Sequence, residues 1–447
     1  MTEQRRRLEL NKNQTLLYDT NESPKTAKEW LLYAVQMLMS VFVATILISN
    51  ICGTSVDAGL LGACLGTLTY QVITKFKSPV FISNSGATVS AVLGALALGS
   101  TPNYFAVFVG GLMMLAVYAA FAMVIKWRGI DSINKLFPPY IVGPITIVIG
   151  LNLAGFIPTY VDLSGATSNI NVFVAVLVML VIALTSHYFK GFLKTIPFLI
   201  GLVFGFVVCL ILEACGAADY NIISRISEVS HIFNMPNFAF LHWSDGIRTF
   251  DIGVLLNVVL LFVPVSICSL CEHYSDHAVM SNIIGHDLTK DPGLHRTLIA
   301  DGTASVIGTL VGGQPNTSYG ESTAMVGFSR VASVKVVSLA AIMMGLLAFI
   351  EPIQIFISAI PNCVFGGCAM ILYGYIACSG LKTLMRNKVD LENNKNLIIV
   401  SVILTVGVSG IWLFTASFAG VSLAMVLGVI LNLALRYKKE KVVVELD

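Results

Sequence analysis

Apolar runs long enough to cross a bilayer recur along almost the whole chain, and they restrict its fold more than any other feature. A helix needs roughly 17 to 25 apolar residues to span the hydrocarbon core. Inside that core every backbone N–H and C=O must find a partner within the protein, so helices and closed barrels are the stable solutions. Runs of this length select helices. Of 447 residues, 56% are hydrophobic and 12% charged, against about 25% charged in an ordinary soluble protein. The chain therefore reads as an all-α polytopic membrane protein. Candidate spans begin near Trp30, Ala58, Pro79, Asn103, Phe137, Asn171, Thr195, Ile252, Thr297, Gln314, Val334, Pro361, Asn396 and Ala416, fourteen transmembrane segments in all.

Charge tests that count. Lys and Arg accumulate on the cytoplasmic side of short loops. With a cytoplasmic N-terminus the inner loops hold Lys75 and Lys77; Lys126, Arg128 and Lys135; Lys190 and Lys194; Lys290 and Arg296; Arg330 and Lys335; then Lys382, Arg386, Lys388 and Lys395. Of 27 basic residues, only Arg225 and Arg248 fall outside, both in the long segment from Cys215 to Phe250. One miscounted span would scramble this alternation, so an even number is expected, with N- and C-termini both cytoplasmic in a cell (plasma or inner) membrane. The leader carrying Arg5-Arg6-Arg7 is read as a cytoplasmic tail rather than a signal peptide, because no apolar region follows its basic residues directly. A net charge of +2 implies no nucleic-acid partner. The nine cysteines lie mostly inside apolar runs and read as small core residues.

The two halves carry a trace of duplication. Phe137-Pro-Pro-Tyr-Ile-Val-Gly-Pro returns as Ile360-Pro-Asn-Cys-Val-Phe-Gly-Gly, 223 residues later, about half the chain. Seven spans per half put the halves in opposite orientations, a 7+7 inverted repeat of the kind many secondary transporters use, with the site at the midplane. Segments 3 and 10 are abnormal as helices: Pro79-Val-Phe-Ile-Ser-Asn-Ser-Gly-Ala-Thr-Val-Ser and Gln314-Pro-Asn-Thr-Ser-Tyr-Gly-Glu-Ser-Thr crowd glycine and small polar residues into membrane depth. Each is expected to be broken, a short extended stretch followed by a half-helix. Half-helix N-termini near Gly86 and Gly320 would aim free N–H groups at a common centre, suited to a partly negative carbonyl oxygen.

Two glutamates occupy apolar surroundings. Glu272 closes the run Ile252 to Cys271, and Glu321 follows the half-helix start at Gly320. An ionised carboxylate at mid-helix depth costs about 2.5 to 3.5 kcal/mol on insertion scales, so such acids mark function. Their bland readings are a solvated helix end for Glu272 and a dipole contact for Glu321. Asp276 lies four residues beyond Glu272, on the same helical face. Cys268, Cys271, His273 and His277 in the same string could be read as metal ligands, but they lack a second pair at zinc-ribbon spacing, and no metal is assigned. Tyr319 and Tyr373 are core aromatics or faces for a planar ligand.

Five strings together are similar to the nucleobase-cation symporter-2 (nucleobase-ascorbate transporter) family, and within it to uracil permeases. They are Glu272-His273, Asp291-Pro-Gly-Leu-His-Arg296, Pro315-Asn-Thr-Ser-Tyr-Gly-Glu321, Leu372-Tyr-Gly374 and Val400-Ser-Val-Ile-Leu-Thr-Val-Gly-Val-Ser-Gly410. The resemblance covers about Trp30 to Leu435. It implies a core domain built from residues 30–128 (spans 1 to 4) and 251–351 (spans 8 to 11), and a gate domain built from residues 129–214 (spans 5 to 7) and 352–436 (spans 12 to 14). Residues 215–250 would be an extracellular loop, and residues 1–29 and 437–447 cytoplasmic tails. The resemblance also implies a proton-coupled importer of a nucleobase, a homodimer, and no enzymatic activity or cofactor beyond the coupling proton. Glu272 and Glu321 match the family's substrate-binding acids, and Tyr319 and Tyr373 its pocket tyrosines. The chain departs from uracil permeases at Asp276, where they carry His, and at Gly86, where they place a phenylalanine against the base. Uracil is the first expectation, with a purine such as xanthine as competitor and an anion exchanger as a more distant alternative.

From the residues and the resemblance together, substrate is expected at Glu272, Glu321, Tyr319, Gly320, Gly86, Tyr373 and Asp276. Proton coupling is expected at Glu321 and Asp276.

Overall fold

The computed structural model describes residues 16–129, 137–163, 165, 167–190, 193–194, 196–413 and 415–435. Arg5-Arg6-Arg7, Lys135, Thr195 and the C-terminal Arg436, Lys438, Lys439 and Lys441 lie outside the described residues. The first half runs through α1 (Ala27–Cys52), α2 (Val56–Ile73), strand β1 (Ile82–Asn84), a 3-10 turn at Gly86–Thr88, α3 (Val89–Leu96), α4 (Tyr104–Arg128), α5 (Pro139–Ala154), α6 (Ser168–Tyr188) and α7 (Pro197–Ala214). The second runs through α8 (Ile252–Ile284), α9 (Leu294–Val311), strand β2 (Asn316–Ser318), α10 (Gly320–Ser329), α11 (Val334–Leu347), α12 (Asn362–Arg386), α13 (Asn394–Val408), strands β3 (Trp412–Leu413) and β4 (Thr415–Ala419), and α14 (Val421–Ala434). Among the described residues eight helices are long and apolar enough to cross a membrane: α1, α2, α4, α5 continued to Val161, α6, α7, α8 and α12. This is a multi-pass membrane protein.

Local chemistry sets the helix ends. The Thr26 hydroxyl accepts the Glu29 N–H at 3.2 Å to start α1, and Gly53 ends it at φ 64°. The Asp251 carboxylate accepts the Val254 N–H at 2.7 Å to start α8. That helix has 33 residues, about 50 Å at 1.5 Å per residue, well beyond a hydrocarbon core of roughly 30 Å. Glu272 is therefore inside α8 and not at its end.

Two expectations about boundaries are corrected. The last span starts at Val421 rather than near Ala416, because Trp412–Leu413 and Thr415–Ala419 form the antiparallel pair β3–β4, with Trp412 opposite Ala419. Trp412, Thr415 and Phe418 are residue types that suit an extended chain. The segment from 215 to 250 is more than a loop. It holds short helices at Ile222–Ile226 and Trp243–Arg248, and it is stitched to the second half where Asn234 N–H donates to Phe349 O and Glu351 N–H to Ile232 O.

The helices pack in two groups. In one, α9 lies against α2 and α4, α11 against α1 and α2, and α8 against α4 and α10. In the other, α12 lies against α5, α6 and α7, and α13 against α5 and α14. The α5–α12 contact is backbone on backbone. A Cβ on Gly150 would sit 2.5 Å from Ala377 N and 2.7 Å from Tyr373 O, and one on Gly380 would sit 2.4 Å from Gly143 O.

Outside the spans, two links tie distant segments together. Leu17 N–H donates to Arg330 O at 2.8 Å and Ala332 N–H to Tyr18 O at 2.9 Å, so the segment preceding α1 pairs with the α10–α11 connection. Lys77 Nζ lies 2.7 and 2.8 Å from the two Asp291 carboxylate oxygens, joining the approach to β1 to the α8–α9 loop.

Gly150→Ala should destabilise the protein by about 1 to 3 kcal/mol, since neither backbone can yield locally; a thermal melt in detergent measures it. The Lys77 hydrogen bonds hold the Asp291 carboxyl below the usual carboxylate range. A folded value below the unfolded one stabilises above the unfolded value, about 3.9 for Asp, and the effect is lost as pH falls through the folded value. The melting-temperature gap between wild type and Lys77→Met should therefore be small but resolvable near neutrality and should close below about pH 4.

Candidate functional site

Segments 3 and 10 do begin as extended chain, and their two strands pair with each other. β1 and β2 are antiparallel, with Ile82 opposite Ser318, Ser83 opposite Thr317 and Asn84 opposite Asn316. Ser85 N–H to Pro315 O (2.8 Å) and Tyr319 N–H to Phe81 O (3.2 Å) extend the ladder at both ends. Because the pair is antiparallel, the helices that follow start at opposite ends of it and run apart. Both N-termini face the centre.

Side chains from neighbouring helices satisfy the strand backbone that the ladder leaves over. Thr67 Oγ1 donates to Ile82 O at 2.7 Å and accepts from Ile82 N–H at 3.0 Å. Ser305 Oγ donates to Asn316 O at 2.7 Å. The strand amides reach outward in return. Asn84 Nδ2 donates to Thr45 O and Ser49 Oγ on α1, and Asn316 Nδ2 to Gly62 O on α2 and Ala304 O on α9. Gly66 makes room for the second of these, since its Cβ would lie 2.3 Å from Asn316 Nδ2. All of these polar side chains are buried.

A cavity of about 60 Å³ opens where the two helix starts meet. One water needs about 10 to 15 Å³, so the space holds several waters or admits the edge of a small polar molecule. Its polar wall is Gly86 and Ala87, then Glu272 and Cys268 on α8, then the unbroken run Thr317 to Glu321. Its other wall is mostly apolar: Ala44 and Ile48 from α1, Thr146 and Ile149 from α5, and Leu372 and Ile376 from α12. A larger cavity of about 510 Å³ lies far from the ladder, lined by Phe233, Asn234, Met235, Leu346, Phe349 and Ile350. It presents no ionisable side chain, so it lacks the chemistry for proton-linked binding.

Five of the seven expected site residues, Glu272, Glu321, Tyr319, Gly320 and Gly86, come together on this cavity. The hydroxyl of Tyr319 donates to Asn84 O at 2.7 Å, so its proton is committed within the protein. Asp276 lies beneath the wall: its Oδ2 accepts from Ser318 Oγ at 3.0 Å, and its Oδ1 is 3.8 Å from where a Gly320 Cβ would be. Tyr373 does not line the cavity; it is buried, with its backbone O at the α5–α12 contact, while Leu372 and Ile376 face the space. His273 and His277 are occupied elsewhere. His273 Nδ1 is 2.7 Å from Asp301 Oδ2 and its Nε2 3.0 Å from Thr297 Oγ1, and His277 Nε2 is 2.6 Å from Tyr70 OH.

Sequence reasoning missed Asp301, Asn84, Asn316 and Thr146. The rule that flags an intramembrane acid applies equally to Asp301, fully buried in α9. The asparagines sit inside the two strings already singled out, where amide side chains at membrane depth demand partners. Thr146 carries no local signal.

The chain is similar to known permeases over nearly its whole length. A sequence profile described as "Permease family" (Xan_ur_permease) matches residues 28–416. The uracil permease of Bacillus caldolyticus is 36% identical over 93% of this chain and 94% of its own. That of Bacillus subtilis (strain 168) is 34% identical over 93% and 94%, and that of Escherichia coli (strain K12) 33% identical over 90% of each. Among solved structures, the transmembrane domain of the cyanobacterial bicarbonate transporter BicA superposes with a TM-score of 0.63 at 14% identity, covering 92% of this chain and 98% of that one. SLC26A9 superposes at 0.61 and 14% identity, covering 92% and 66%.

Asn316→Ala should lower stability by about 1 to 3 kcal/mol, the penalty of removing a buried donor from its acceptors. Because β2 carries the cavity wall, the same variant should also weaken ligand binding although Asn316 does not line the cavity. Paired melting and binding measurements on purified protein check both.

Proposed function

The chain belongs to the Permease family, a family of transporters rather than enzymes, and on that premise we propose that it imports a nucleobase, uracil first, together with a proton. The supporting observation is a single cavity lined at once by Glu272, Glu321 and the helix starts at Gly86 and Gly320. A uracil ring is flat and neutral, and its polar edge alternates donors and acceptors: N1–H, C2=O, N3–H, C4=O. In the proposed pose one ring N–H donates to Glu272, and the carbonyls accept from the free N–H groups at the two helix starts. A hydrogen bond to a charged group contributes about 1.5 to 3 kcal/mol and a neutral one about 0.5 to 1.5, so the contact with Glu272 is the strongest single polar contribution in this pose.

Glu321 takes the coupling role in this proposal. It is protonated when the site faces outward and releases its proton inward, with Asp276, hydrogen-bonded to Ser318 under the same strand, as a second group through which charge reaches the wall. One proton crossing 100 mV releases about 2.3 kcal/mol, enough for roughly fiftyfold accumulation. The accompanying architecture is fourteen spans in a 7+7 inverted repeat with both termini cytoplasmic. The group built on α1–α4 and α8–α11 acts as core and the group built on α5–α7 and α12–α14 as gate, in line with how the helices pack.

Gly86 favours keeping a purine as the second reading. A Cβ there would meet Ile376 and Ile48 in ordinary contact at 3.7 and 3.8 Å, so aliphatic side chains rather than an aromatic ring face the ligand at that corner. The BicA-like fold brings no anion with it, since two carboxylates on the cavity repel one.

Glu272→Ala should weaken uracil binding about ten- to a hundredfold; unchanged affinity moves the site elsewhere. Glu321→Gln should retain binding yet abolish protonophore-sensitive accumulation in vesicles. Concentrative uptake with normal pH dependence in that variant removes Glu321 from the coupling step. A competition panel of uracil, xanthine, hypoxanthine, urate and ascorbate separates the two base classes.

A further inference from the structure

We propose that Thr146 on α5 is a specificity-determining contact, the hydroxyl through which the second helix group accepts a hydrogen bond from the bound base. The inference rests on the nucleobase reading of the cavity and adds to it the group that meets the edge of the base turned away from Glu272.

Four residues of the second helix group line the cavity: Thr146, Ile149, Leu372 and Ile376. Three are aliphatic, so Thr146 carries the one polar side chain that this group presents there among the described residues. A hydroxyl has one donor and two acceptor positions. The Thr146 hydroxyl already donates to Val142 O at 3.0 Å, one turn back on its own helix. What it has left to offer is acceptor capacity, which matches a ring N–H and not a carbonyl.

Its position is set by packing that leaves no room for a Cβ. Gly143 stands three residues before Thr146 and Gly150 four after, and both press backbone to backbone on α12 near Tyr373, Ala377 and Gly380. The contact fixes the turn of α5 that bears Thr146 relative to Ile376 on α12, so the hydroxyl and the aliphatic wall are presented as one rigid surface. The polar wall across the cavity comes wholly from the other helix group. A base hydrogen-bonded to both sides spans the gap between them, so discrimination at Thr146 is made by the helix group that closes over the substrate.

The test pairs variants with ligands. Thr146→Val keeps the shape and removes the hydroxyl; Thr146→Ser keeps the hydroxyl. Equilibrium binding to the purified full chain is measured for uracil, 1-methyluracil and 3-methyluracil, alongside thermal melts. We expect Thr146→Val to weaken uracil about three- to tenfold, the range for a neutral hydrogen bond. Thr146→Ser should stay within about twofold of wild type, and one methylated base should bind wild type and Thr146→Val equally, because it lacks the N–H that Thr146 accepts. The idea is overturned if Thr146→Val leaves uracil affinity unchanged, if it weakens all three ligands by one common factor, or if Thr146→Ser fails as badly as Thr146→Val. Should wild type bind none of the bases, the nucleobase reading falls, and this inference falls with it. A wild type that binds uracil beside an indifferent Thr146→Val overturns the Thr146 assignment alone.

Discussion

Two three-residue strands supply at the centre of this protein the hydrogen bonds that lipid cannot. Non-helical backbone at membrane depth survives only where the protein itself provides partners. The β1–β2 ladder provides most of them, and Thr67 and Ser305 provide others. The rest of the architecture answers to that arrangement. With the chain extended through Asn84 and through Ser318, each following helix can begin in mid-protein and expose its first N–H groups to a shared space. An unbroken helix in either place would bury those groups in its own hydrogen bonds and leave no cavity.

Polar anchoring and glycine packing then divide the work. Around the ladder, Asn84 and Asn316 tie the strands to α1, α2 and α9, and small residues at Gly59 and Gly66 give the amides room. Away from it, the α5–α12 contact relies on glycines that let the backbones touch. The first device specifies register, because an amide pointed at the wrong carbonyl leaves buried groups unpaired. The second specifies distance. The acidic wall of the cavity sits on the first and the opposing wall on the second, so the cavity is bounded by two surfaces of different origin.

Much of this could be read in the sequence, and the rest could not for identifiable reasons. Apolar run lengths and the placement of 25 of 27 basic residues gave the multi-pass reading because both follow from local composition. Glycine and small polar residues at Pro79–Ser90 and Gln314–Thr323 marked the broken segments, since an ordinary span tolerates few of them. Glu272 and Glu321 stood out by the cost of charge in lipid. What failed was anything that depends on where a side chain's partner lies. Tyr373 looks like a pocket aromatic by its string, yet it lies buried off the cavity and leaves Leu372 and Ile376 to face it. Asp276 shares a helical face with Glu272 but is captured by Ser318 from a strand 42 residues away. Residues 412–419 were apolar enough to pass for the start of a span, and hydropathy cannot distinguish a short strand pair from a helix.

The ladder also dictates an order of events during synthesis. Asn84 pairs with Asn316, about 230 residues later in the chain. At 5 to 20 residues per second, the first strand leaves the ribosome roughly ten to fifty seconds before its partner exists. Through that interval the segment around Ser83 and Asn84 has no ladder to enter and cannot rest as extended chain in lipid. It has to wait as a helix, at the membrane surface, or in the care of the insertion machinery. The broken segment that gives the mature protein its site is thus the stretch whose assembly must be deferred, and the amides that pin it come into register only when the second half of the chain arrives.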